Sequence, residues 1–91
     1  MAYVTLMEFG VDFDTHLKIG ETVGDAPVAG LIVHAAGPSE HGVHSLDVWE
    51  TKEDSTRFFT ERMLPALRQL GIEGGPPVNF QEFDLPLVLR G

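Results

Sequence analysis

Histidine is the side chain best suited to moving protons near neutral pH. Three of the four in this chain, His34, His41 and His44, lie in one stretch, GLIVHAAGPSEHGVHSLDVWE at Gly30–Glu50. The same stretch holds the only tryptophan, Trp49, and an aspartate, Asp47, set between Leu46 and Val48. A carboxylate beside a histidine fixes its tautomer and stabilises the imidazolium, so His34 with Asp47 has the makings of an oriented general base. Removing a proton from an acidic aromatic or a 1,3-dicarbonyl compound is the step such a pair could perform. Trp49, with Phe58 and Tyr3, offers a flat apolar wall for the substrate ring. His16 is either a second acid or base in the same pocket or a polar contact from helix to sheet. The plainer alternative for His34 and Asp47 is a satisfied polar pair at a sheet or dimer interface, with Trp49 simply core. His41-x-x-His44 spans a turn and a strand with only Glu40 as a nearby oxygen ligand, so no metal is expected there.

These residues need a hairpin to bring them together. Gly30–Ala36 is almost wholly apolar, Gly37-Pro38-Ser39-Glu40 has turn chemistry, and Gly42–Glu50 alternates. An even loop lets Gly37 face Gly42, which sets His34 opposite Ser45 and Ile32 opposite Asp47. Side chains alternate between faces, so His34, Ser45, Asp47 and Trp49 share one face. His34 and Asp47 become diagonal neighbours roughly 7 Å apart at the backbone. An odd loop would separate them.

Around the hairpin the remaining elements read in order. Ala2–Phe9 is a strand with little polarity on either face, so both faces need cover. Asp12 or Asp14 caps a helix to about Val23, whose buried side is expected to carry Phe13, His16, Leu17, Gly20, Val23 and Gly24. Thr51 and Asp54 suit a capping box for a second helix ending near Leu70 at Gly71. Its core stripe is expected to be Phe59, Met63, Ala66, Leu67 and Leu70, with Arg57 and Glu61 at ion-pair spacing on the opposite side. Pro65 inside it predicts a kink near residues 61–64, with the ring facing outward. An irregular loop over 71–77 leads to a strand at Val78–Phe83 and an apolar tail, Leu85–Leu89. The order β-α-β-β-α-β is the ferredoxin-like α+β arrangement: an antiparallel sheet with two helices on one face.

With 91 residues the chain is a single domain, 1–91, small enough to gain from a partner subunit. The net charge of −8 argues against nucleic acid and anionic membranes. No apolar run approaches a membrane span, and no cysteine is present. The expectation is a soluble cytoplasmic protein. No phosphate loop, nucleophile elbow or haem-attachment sequence appears, so no cofactor is expected.

The patterns GLIVHAAGP at Gly30–Pro38, DVWET at Asp47–Thr51 and R-F-F-x-E-R-x-L-P-A-L at Arg57–Leu67 resemble the dimeric α/β-barrel superfamily. Within it the chain is most similar to small bacterial proteins related to antibiotic-biosynthesis monooxygenases. The resemblance implies a homodimer with facing sheets and a cavity between sheet and helices. It also implies a cofactor-independent enzyme, of monooxygenase, cyclase or isomerase type, acting on a small hydrophobic, aromatic or polyketide-like ligand. A non-catalytic binding or protective protein and a structural dimer module are the alternatives.

Overall fold

The computed structural model describes residues 1–73 and 76–91. Part of the glycine–proline loop expected over 71–77, Gly74 and Gly75, therefore lies outside the described residues. Strand β1 (Ala2–Phe9) leads into α1 (Phe13–Val23), then the hairpin β2 (Leu31–Ser39) and β3 (Gly42–Trp49). A helical rod follows as α2 (Lys52–Phe58), a π turn (Phe59–Met63) and α3 (Leu64–Leu70), and β4 (Asn79–Leu85) closes the sheet. The strand order is β2-β3-β1-β4 and every pairing is antiparallel, with β1 and β3 central. This is the ferredoxin-like α+β fold that the element order predicts.

Local chemistry explains where the helices start. Asp12 caps α1, its Oδ1 accepting from Thr15 N at 2.7 Å, and Gly24 ends the helix at a positive φ of 87°. Thr51 caps α2: its Oγ1 accepts from Asp54 N at 3.2 Å and donates to Asp54 Oδ2 at 2.9 Å. The packing phase of the helices differs from expectation. In α1, Ile19 is the buried residue, whereas Leu17 and Gly20 are exposed. Two apolar residues two apart admit two wheel phases, and docking selects the one with Thr15, His16, Ile19 and Val23 inward.

Pro65 is met without breaking the rod. An α-helix would need its missing N–H at the Glu61 carbonyl. Instead the π turn lets Leu64 N donate five residues back to Phe59 O, and the Pro65 ring lies exposed, as predicted. The extra residue rotates the stripe upstream of Ala66 and Leu67. Phe58 thus faces the sheet, and Phe59, expected in the core, is 49% exposed; Leu70 is also exposed. Arg57 pairs with Asp54 at 3.0 Å rather than with Glu61. Arg62, at the end of the π turn, donates to the carbonyls of Val23, Ala26 and Pro27 and so ties the rod to the end of α1.

The hairpin turns later than its breakers suggest. Ser39 pairs with Gly42, so the loop is Glu40-His41, and Pro38 remains inside β2 opposite Val43. Proline is tolerated there because β2 is an edge strand. The whole register moves by two residues. His34 faces Asp47 directly instead of Ser45, and Ser45 faces Ala36. Ile32 drops out as a bulge between the Leu31–Trp49 and Val33–Val48 pairs.

Neither loop residue has a positive φ, and Gly42 takes the unusual conformation at φ 146°. The turn is held instead by Glu8 of β1. Its carboxylate accepts from Ser39 Oγ at 2.6 Å, Asn79 Nδ2 at 2.7 Å and His41 N at 3.2 Å. Those donors, Ser39 foremost, hold the Glu8 carboxyl down at about 2. A depressed carboxylate contributes stability above its unfolded value of 4.5 and loses it as pH falls through its folded value. Acid unfolding followed by circular dichroism should therefore show wild type losing its advantage over Glu8→Leu between pH 4.5 and about 2. A constant difference across that window would show that the carboxylate does not clamp the turn.

Candidate functional site

The sheet has one covered face and one open face. Register places Tyr3, Thr5, Ser45, Asp47, Trp49 and His34 on the same face. The helices lie over it: Trp49 meets Phe58 at 5.5 Å between ring centroids, and His34 meets His16 of α1 at 5.8 Å. The expected sharing of a face by His34, Ser45, Asp47 and Trp49 is thus present.

At one end of this face, His34 Nδ1 is bonded to Asp47 Oδ1 across the β2–β3 pair. Because Nδ1 is engaged, Nε2 is the free nitrogen of the ring. The hydrogen bond to Asp47 raises the His34 pKa above 6.5, against an opposing effect of burial. Asp47 is 9% exposed as a residue, while the His34 side chain is 45% exposed. The pair is therefore open to solvent on the His34 side in the single chain, rather than lying in the cavity expected between sheet and helices. His16 stacks on Phe13, with ring centroids 6.2 Å apart and planes at 16°. Burial pushes the His16 pKa down, and the neighbouring His34 lowers it further while Asp47 opposes.

At the other end, Tyr3 pairs with Trp49 across β1 and β3, and both are buried. The Lys52 ammonium lies 5.9 Å from the centre of the Tyr3 ring and 3.0 Å from Glu82. Burial, then Glu82, pushes the Tyr3 phenol up. Ser45 is buried one row from Asp47, opposite Met7. The structure thus groups the residues in two sets: His34, Asp47 and His16 together, and Tyr3, Trp49 and Phe58 further along β3.

Two polar atoms in this layer were not singled out by the sequence. Thr5 Oγ1 and Trp49 Nε1 are buried without a hydrogen-bond partner among the described residues. Thr5 lies directly opposite Asp47, so Thr5, Asp47 and His34 form one row across three strands. A lone threonine in an apolar strand carries no local signal of that neighbour. Among the described residues no cluster of metal-ligating side chains exists. His41 pairs with Glu8 instead, at 3.3 Å.

Fold and site together define a small α+β protein with a histidine–aspartate pair under its helices. The same fold occurs in a Chloroflexus aurantiacus J-10-fl protein that carries the provisional name antibiotic biosynthesis monooxygenase. That likeness has a TM-score of 0.74 at 11% identity over 100% of this chain and 98% of the other. A structural-genomics protein, YJCS, is similar at a TM-score of 0.62 and 18% identity over 92% of this chain and 97% of the other. So is the NE2512 protein of unknown function from Nitrosomonas europaea, at 0.62 and 14% over 99% and 92%. No family model matches the chain, and a search of curated proteins found no match. No helix among the described residues is long and apolar enough to cross a membrane.

The raised His34 pKa has a testable sign. A base whose folded value lies above its unfolded one stabilises the fold fully below 6.5 and ceases to as pH rises through the folded value. Wild type should exceed His34→Gln in melting temperature by more at pH 6 than at pH 9. An equal gap at both would mean that Asp47 gains nothing from the charged ring.

Proposed function

We propose that this protein is a cofactor-independent enzyme that abstracts a proton from a small aromatic or polyketide-like molecule. The observation that carries the reading is the direct His34–Asp47 pair. Asp47 holds the ring by Nδ1 and stabilises the imidazolium, and Nε2, on the solvent-exposed side chain, takes the proton. Phe58, packed on Trp49, extends a buried apolar layer with Tyr3 beside the pair, and Ser45 is buried next to it. The carbanion or phenolate so formed is the common first intermediate of cofactor-free oxygenation, isomerisation and aldol-type cyclisation. The named relative from Chloroflexus aurantiacus supports the first of these only as a likeness of fold.

The working unit of this reading is a homodimer with facing sheets. The open face carries Val33, Leu46 and Phe83, each 38% exposed or more, alongside the half-buried Leu6 and Val48. Leu87 and Leu89 project from a tail fastened through Arg90 to Glu50 at 2.9 Å. A single chain that leaves so much apolar surface in water gains by covering it with a second copy.

Two measurements test these points. Incubation with anthrones, 1,3-diketones and phenols in heavy water, with oxygen uptake followed in parallel, should reveal exchange or turnover that His34→Ala abolishes while the fold persists. Binding without exchange would leave a binding or protective protein, and neither would leave a structural module. In sedimentation, wild type should run as a dimer at micromolar concentration and Leu46→Asp with Phe83→Asp as a monomer; a monomeric wild type would end the dimer reading.

A further inference from the structure

The geometry points to His16 as a second catalytic residue: its neutral imidazole, beside the His34 ring, donates a hydrogen bond to the carbonyl oxygen of the ligand whose α-proton His34 removes. This rests on the proton-abstraction reading above and narrows its substrate to an enolisable carbonyl compound.

Three observations converge on it. The two rings approach to 5.8 Å between centroids, tilted by 31°. That spacing is too small to admit an aromatic ring between them, so a ligand meets both from the open side, edge-on. His16 makes no side-chain hydrogen bond to another described residue, and neither of its nitrogens is among the sealed, unpartnered atoms. A half-buried histidine with accessible, unengaged nitrogens is free to bind a ligand. Phe13 stacks on the His16 ring and holds it in place. The charges acting on it are His34 from β2 and Asp47 from β3.

The electrostatics then divide the labour. Asp47 lies against His34, so a proton taken by the pair of rings resides there. Burial holds the His16 pKa down in the first place, and a second positive charge 5.8 Å from His34 is disfavoured as well. A neutral imidazole still has one N–H to donate. The step balances simply: the ligand's C–H bond breaks, its proton passes to His34 Nε2, and the electron pair delocalises onto the carbonyl oxygen. That oxygen, now an enolate, accepts from His16 more strongly than the ketone did, as transition-state stabilisation requires.

Titration of the histidine rings by NMR reads the first half of this without any substrate. His16 should titrate below 6.5 in wild type and rise in His34→Gln. A His16 that titrates at or above 6.5, or is unmoved in His34→Gln, overturns the proposal. Deuterium exchange into acetylacetone reads the second half. His16→Leu should lower kcat by about 100-fold with little change in KM, and His16→Gln, which keeps an N–H, should recover part of it. Exchange in wild type that is undiminished in His16→Leu sinks the role of His16 alone. No exchange in wild type with any enolisable compound sinks the proton-abstraction reading, and the role of His16 with it.

Discussion

The register of the β2–β3 hairpin is the constraint on which the rest of the molecule depends. A strand alternates its faces with a period of two, so a slip by one residue would carry His34, Ser45, Asp47 and Trp49 together to the other side. The turn itself specifies this register weakly, because Glu40 and His41 lack the positive φ angles of the tight hairpin turns that match strand twist. Glu8 supplies what the turn lacks. Its carboxylate gathers Ser39, His41 and Asn79 on the open face, fixing β2, the turn and β4 relative to β1. A carboxylate on one side of the sheet thereby decides which residues meet on the other.

Each face of the sheet carries residues that a self-sufficient monomer would place elsewhere. The covered face buries Thr5, Ser45 and Asp47, whereas the open face displays Val33, Leu46 and Phe83. Burying polar groups costs free energy unless each is bonded, and exposing apolar ones forgoes stabilisation of roughly 25 cal/mol per Å². Both departures cost this chain stability, which a small domain can ill spare. Each becomes intelligible if the covered layer is kept polar for a ligand and the open face is completed by a second copy.

Much of this was legible in the sequence, for reasons that can be named. Element order and strand alternation are local properties, and they placed β1, the hairpin and both helix starts closely. The pairing of His34 with Asp47 on one face survived a misplaced turn because the error was two residues, an even number. What escaped reading was set by neighbours distant in sequence. Pro38 stays within β2 because β2 lies at the sheet edge, which no local pattern declares. Leu17 and Ile19 are equally apolar, and only docking chooses Ile19. Pro65 announces a missing donor but not that a π turn will absorb it and swing Phe59 into solvent. Thr5 and Glu8 owe their importance to partners on other strands.

The arrangement also separates the candidate site from the candidate interface without insulating them. His34 and Asp47 occupy β2 and β3, and so do Val33 and Leu46, pointing to the opposite side. Strand backbones are stiff along their length, so covering the open face would not reshape the surroundings of the pair by direct contact. It would act on the one weakly specified variable, the seating of β2 as an edge strand against β3. Val33, Ala35 and Gly37 of β2 would be pinned from below, leaving His34 less freedom to leave Asp47. The His34–Asp47 pair would then be most firmly formed in the assembled state, since the same two strands carry both.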